Sequence, residues 1–218
     1  MVPVSRTSAR AGFSLTELTI SMLLLGSMVM MAGFAADRGM GVLRQHRGEQ
    51  QLIGSVQRAM QRLTRELEFA GLGGMSPRNT SPLWAEALTY RICAGFDDGS
   101  SAVAWGVERV LRLEYEPGES NDGADNDGDG LIDEGMLVWI EGEGEPEEQR
   151  LVLAHGVAEY LEGEQLDADD DNGNGLVDER GLSFSFEDEV VTVRLSLQTA
   201  GEQGVITKTL ETSVSVHN

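Results

Sequence analysis

Hydrophobic positions fall into three regimes along the chain. Residues 18–36 read LTISMLLLGSMVMMAGFAA and hold no charge over 19 residues. As a helix such a run spans about 28 Å, close to the roughly 30 Å hydrocarbon core of a bilayer. Over residues 37–72 the apolar positions thin out, and Ile53, Val56, Met60, Leu63 and Leu67 recur at spacings of three and four. That spacing predicts a helix with one apolar face, packed on the protein's own sheet. Arg58, Arg62, Arg65, Glu66 and Glu68 fall on its polar side. Gly39, Gly41 and Gly54 weaken its interior, and Gly71, Gly73 and Gly74, followed by Pro77, end it.

Beyond Gly74 the period changes to two. Residues 88–92, 107–115, 136–140, 150–153, 182–186, 190–197 and 205–216 read as strands, the last two joined as a hairpin near residues 200–204. One long helix followed by a run of strands predicts an α+β fold, the helix packed on an antiparallel β-sheet head.

Charge sharpens this picture. The 218 residues suit one substantial domain with an extension, and the formal net charge of -21 disfavours a nucleic-acid partner. The acid is concentrated. Residues 114–189 contain only two basic side chains, Arg150 and Arg180, whereas residues 1–12 hold Arg6 and Arg10 and no acid. The acidic half therefore requires either tolerance of self-repulsion or bound cations. Cys93 has no disulfide partner in the chain and is expected to be a small buried apolar residue. His46, His155 and His217 lie far apart, and no nucleophile elbow, phosphate loop or HExxH motif occurs, so no enzymatic role is expected.

Two turns concentrate the acid. Asp125-Asn126-Asp127-Gly128-Asp129-Gly130-Leu131-Ile132-Asp133-Glu134 and Asp170-Asp171-Asn172-Gly173-Asn174-Gly175-Leu176-Val177-Asp178-Glu179 superpose without a gap at an offset of 45 residues. Oxygen-bearing side chains fall at positions one, three, five and nine, which are Asp125, Asp127, Asp129 and Asp133 in the first loop and Asp170, Asn172, Asn174 and Asp178 in the second. Calcium takes six to eight oxygens, and alternate residues of a tight loop converge on one ion. Glycine at six permits the turn, and the carbonyls of Leu131 and Leu176 at seven are candidate ligands. Ile132 and Val177 at eight are expected to anchor the loops to the core. Position twelve is Met136 or Gly181, not the acid of an EF-hand, which leaves Glu134, Glu179, Asp122 and Asp167 as candidate sources of the remaining oxygens. The loops resemble those of dockerin and thrombospondin type 3 repeats. With Asn172 and Asn174, the second is expected to bind calcium more weakly unless Asp167, Asp169 or Asp171 supplies the missing charge.

The N-terminus adds a more specific pattern. An apolar run this long exceeds a secretory signal, and a plain membrane anchor leaves the acid Glu17 at the edge of the run without a use. Gly12-Phe13-Ser14-Leu15-Thr16-Glu17, after a short basic segment and ahead of the apolar helix, resembles the type III signal of type IV prepilins. The resemblance implies a leader 1–12, cleavage between Gly12 and Phe13 by prepilin peptidase with methylation of the new N-terminus, a transmembrane and assembly helix 13–36, an amphipathic helix 37–72 and a β-rich extracytoplasmic head 73–218. It implies that Glu17 neutralises the amino terminus of a neighbouring subunit. Partners implied are other pilins or pseudopilins and an inner-membrane assembly platform, with the head in the periplasm. The segment Arg62-Leu63-Thr64-Arg65-Glu66-Leu67-Glu68-Phe69-Ala70-Gly71 and the ending Val214-Ser215-Val216-His217-Asn218 are similar, more distantly, to PilW-like minor pilins and J-type minor pseudopilins of type II secretion. The alternative reading is a membrane-anchored, calcium-dependent adhesion module that does not polymerise.

Overall fold

The computed structural model describes residues 14–78, 84–99, 102–201 and 204–216. Gly12, Phe13, His217 and Asn218 lie outside the described residues. Among the described residues, one long helix, α1 (Leu15–Glu68), comes first, and a 3-10 turn (Leu72–Gly74) follows it. Seven strands come next: β1 (Ala87–Asp97), β2 (Ala102–Tyr115), β3 (Gly135–Glu141), β4 (Gln149–Val157), β5 (Leu182–Glu187), β6 (Val190–Gly201) and β7 (Gly204–Ser215). The expected α+β class and the antiparallel sheet are both present.

Two compact units divide the chain, residues 1–46 and residues 47–218. In the first, α1 contains a stretch long and apolar enough to cross a membrane, and the side chains of Leu15, Leu23, Met31 and their neighbours are exposed. The helix starts at a capping box. The Ser14 amide donates to Glu17 Oε2 at 3.1 Å and the Glu17 amide donates to Ser14 Oγ at 3.2 Å, so two otherwise orphan donors are satisfied reciprocally.

In the second unit the sheet runs β1-β2-β3-β4-β6-β5, with β7 on the other flank of β6. β6 is shared: residues 190–195 pair with β5, Leu197 pairs with Val157 of β4, and β7 pairs along the whole strand. A bridge from Ala85 to Phe184 ties the segment before β1 to β5. The helix lays Leu52, Val56, Ala59, Met60, Leu63 and Leu67 into a core with Leu88, Leu111, Leu137, Phe184, Leu195 and Leu197. Leu52 takes the inward position that the spacing gave to Ile53, which is exposed. The difference of one residue is 100° of helical rotation, enough to turn a side chain from core to solvent. β3 is buried on both faces: Leu137 and Trp139 join the helix-side core, while Met136, Val138 and Ile140 form a second cluster with Val110.

Glu66, assigned by spacing to the polar face, is held instead in a half-buried network. It accepts hydrogen bonds from the Tyr90 hydroxyl at 3.1 Å and from Arg109 at 3.0 Å. Trp139 Nε1 donates to the Tyr90 hydroxyl at 3.0 Å, and Arg109 Nε donates to Glu141 at 2.6 Å. Burial first, then the Glu66 charge, raises the Tyr90 pKa, which keeps its hydroxyl protonated as a donor. The glycines after the helix do more than stop it. A Cβ on Gly71 would stand 2.3 Å from the Trp105 ring, so only glycine admits that indole. Cys93 is exposed, contrary to expectation. β1 has no buried residue beyond Tyr90, because the far part of the β1–β2 ribbon outruns the core.

Candidate metal centre

Loop 1 (116–134) joins β2 to β3 and loop 2 (158–181) joins β4 to β5. The pairings Tyr115 with Gly135 and Gly135 with Val157 put the loops side by side at one end of the sheet. Their backbones repeat each other in detail. Asp125 takes the amides of Gly128 and Gly130 at 2.6 and 3.0 Å; Asp170 takes those of Gly173 and Gly175 at 2.7 and 2.9 Å. Asp127 and Asp129 accept from the residue two further on, as do Asn172 and Asn174. Each of these turns returns a side-chain oxygen to the loop's own amides, which is why alternate Asp or Asn with Gly folds locally this way.

Asp133 and Asp178 close the loops. Both lie at positive φ, 52° and 51°. The Asp133 carboxylate accepts from the amides of Asp122 and Gly123 at 3.1 and 2.8 Å, and Asp178 accepts from Asp167 and Ala168 at 3.0 and 3.1 Å. Their position-nine oxygens are therefore engaged with backbone. Asp122 and Asp167 likewise accept local amides, from Ala124 and Asp169. Leu131 is buried, and Leu176 is half-buried. Ile132 and Val177 are exposed, at 54% and 36%, so the anchor is position seven and not position eight.

The structure adds one residue per loop that the linear motif misses. Glu119 Oε1 accepts the amides of Asn126 and Asp127, each at 2.9 Å. Its counterpart Glu164 accepts from Asn172 at 3.0 Å and Asp178 at 3.1 Å. The signal was present: the 45-residue repeat extends backward through Gly118-Glu119 and Gly163-Glu164.

In loop 1 the carboxylates converge. Oxygens of Glu119, Asp125 and Asp127 lie within 4.8 Å of one another, as do those of Asp127, Asp129 and Glu134. Two ligands on opposite sides of a calcium ion at 2.3–2.6 Å stand at most about 5.2 Å apart, so this spacing can hold one cation. Glu134 is 1% exposed, and neither carboxylate oxygen has a hydrogen-bond partner; Glu119 Oε2 is likewise buried without one. Buried unpaired carboxylates are costly unless a cation neutralises them. Burial first, then the charges of Asp129, Glu119 and Asp127, push the Glu134 carboxyl up to about 7, against the lowering effect of its own backbone amide.

At the five positions aligned with Glu119, Asp125, Asp127, Asp129 and Glu134, loop 2 gathers less charge. Glu164, Asp170 and Glu179 remain acids, while Asn172 and Asn174 replace two of the carboxylates. Glu179 is fully buried; its Oε1 accepts from Asn174 Nδ2 at 2.7 Å and its Oε2 has no partner. Burial first, then the Glu179 charge, raises the Glu164 pKa, against the lowering effect of the Asn172 amide. Outside the loops, His155 Nδ1 lies 3.2 Å from Glu116, whose other oxygen accepts the Gly156 amide, a structural contact at the root of loop 1. Comparison with family models, with curated proteins and with solved structures gives no match.

Proposed function

We propose that the chain is a pilin-like assembly subunit, a minor pilin or minor pseudopilin, with a head stabilised by calcium. The observation that carries this reading is the order Gly12-Phe13-…-Glu17 directly ahead of a helix whose apolar side chains are uncovered. Apolar surface of this extent is stable only in lipid or against other apolar helices. Polymerising subunits use both in turn, first as membrane proteins and then as filament members. Gly12 and Phe13 form the processing site, and prepilin peptidase cuts between them. Glu17, at the head of the apolar helix, meets the amino terminus of a neighbouring subunit. A buried acid paired with a cation in this way avoids the cost it carries alone. The inner-membrane assembly platform and other pilins or pseudopilins are the partners, and the head lies in the periplasm. No catalytic step is assigned to the chain.

The head contributes a cation site of oxygens alone. Glu119, Asp125, Asp127, Asp129 and Glu134 offer hard carboxylate ligands and no nitrogen or sulfur. Calcium suits this set better than magnesium, which keeps several waters and takes few protein ligands. Its binding cancels repulsion among five acids and satisfies the buried oxygens of Glu119 and Glu134. Calcium at loop 1 thus belongs to folding rather than to catalysis.

Processing is the decisive test. Mass spectrometry of the chain isolated from cells carrying an active prepilin peptidase should find an N-terminal methylated Phe13, and Gly12→Val should leave the chain uncut. An unmodified N-terminus upstream of Phe13 in such cells would reduce the protein to a membrane-anchored module and remove the assembly reading.

A further inference from the structure

The two loops share a backbone and differ in what faces the buried glutamate at their centre. In loop 1 Asp129 and Glu134 present carboxylate oxygens to each other with no donor on Glu134. In loop 2 the same position is filled from within. Asn174 Oδ1 accepts the Leu176 amide at 2.8 Å, while Asn174 Nδ2 donates to Glu179 Oε1 at 2.7 Å. Glu164 also has both oxygens on backbone amides, whereas Glu119 keeps one buried oxygen free. Glu179 Oε2 remains buried and unpaired, so the loop still presents a ligand inward.

We infer that loop 2 is a latched cation site, in which the Asn174 amide stands where the cation would bind and must be displaced before it fills. The inference rests on the reading of these loops as calcium sites. The geometry of an amide makes the latch effective. Asn174 has a single oxygen, and to offer it on the side that faces Glu179 the amide must turn over. Its NH2 then faces the Leu176 N–H, donor against donor, and both present hydrogen bonds are lost. Filling is therefore opposed by a stable closed conformer, and the apparent affinity falls by the fraction of molecules that are open. Loop 1 has no such conformer and fills first. Loop 2 stays folded without an ion and responds only at higher calcium, as a sensor of concentration rather than a permanent brace. Its occupancy reaches the sheet, because Trp84 Nε1 donates to the Val177 carbonyl at 2.9 Å and the adjacent Ala85 pairs with Phe184 of β5.

The test is a calcium titration of the full chain in detergent micelles, by calorimetry and by indole emission, with Trp84→Phe identifying the share that comes from Trp84. Two filling steps are expected, the second weaker by about tenfold or more and accompanied by the Trp84 signal. Asn174→Ser removes the latch donor and adds no charge; it should tighten the second step by about threefold or more and leave the first unchanged. Asn174→Asp, which removes the latch and restores the acid that loop 1 carries there as Asp129, giving four acids at the five aligned positions, should bring the second step closer to the first. A serine variant whose second step is unchanged or weaker, while loop 1 fills normally, overturns the latch and leaves the calcium reading intact. Should the serine variant fail to fold, an unchanged second step in the aspartate variant overturns the latch in its place. Absence of any calcium binding in the wild-type chain sinks the calcium reading and the latch together.

Discussion

Loop 1 and loop 2 have the same turn geometry but differ in the charge gathered at five aligned positions. Both bend at positive-φ glycines six positions from the loop start, Gly130 and Gly175, and both close on a positive-φ aspartate. Yet at the five aligned positions loop 1 places acids throughout, with buried oxygens of Glu119 and Glu134 unsatisfied, while loop 2 places three acids and two amides, with one buried oxygen of Glu179 capped by Asn174. The comparison separates two jobs that a metal-loop motif usually merges. Asx turns and glycine fix the backbone; the side chains gathered inside decide whether its buried oxygens find hydrogen-bond partners. A repeated element can therefore keep its backbone while the partners of its buried oxygens differ.

The largest effect expected from breaking this contrast concerns Glu134. Its carboxyl sits at about 7 in the cation-free fold, against 4.5 for an ordinary glutamate. Between those values the folded chain retains a proton that the unfolded chain releases, so rising pH favours unfolding. Cation-free protein should lose about 3 kcal/mol of stability as pH rises from 4.5 to 7, by the value of roughly 1.4 kcal/mol per pKa unit. Denaturant unfolding across that window, with Glu134→Gln flattening the slope, checks it; a slope that persists in the glutamine variant assigns the effect elsewhere.

Next is removal of the cation. At a free calcium concentration 100 times Kd, binding contributes about 2.7 kcal/mol, so chelation should lower Tm by about 5–10 °C for a domain of this size. Glu119→Gln, which alters a free buried oxygen, should diminish that shift. Glu164→Gln, whose two oxygens serve backbone amides, should lower Tm with and without calcium alike. An equal Tm in chelator and in millimolar calcium would remove the stabilising role.

Smaller effects probe the shared frame. Gly118 and Gly163 lie at φ of 113° and 91°, and a Cβ there would stand 3.4 Å from Asp127 Cβ or 3.2 Å from Asn172 Cβ. Alanine at either site should cost about 1–2 kcal/mol from the backbone alone, somewhat more at Gly163 because its contact is tighter. Thermal melts of the two variants compare the sites directly. Smallest of all, Ile132→Ser and Val177→Ser should change stability by less than about 0.5 kcal/mol, since neither side chain is in the core. A loss of several times that size would restore position eight as the anchor.

The sequence by itself determined what depends on short-range chemistry. The uncharged run of residues 18–36 and the period-two strands follow from local spacing, and the structure has a long N-terminal helix with an apolar stretch and an antiparallel sheet. The repeat at 45 residues was also readable, down to Glu119 and Glu164 had it been followed backward. The tertiary structure alone decided the rest. Which of Leu52 and Ile53 faces inward depends on the rotation of α1 against the sheet. Glu66 is drawn from the polar face by Tyr90 and Arg109, partners 24 and 43 residues away. Cys93 stays exposed because the β1–β2 ribbon runs past the core. The state of the loops is decided in the same way. A carboxylate or an amide at position five looks like a conservative exchange in the sequence. Only burial, which removes water as the alternative partner, turns it into the difference between an acid that needs a cation and one already held by a hydrogen bond.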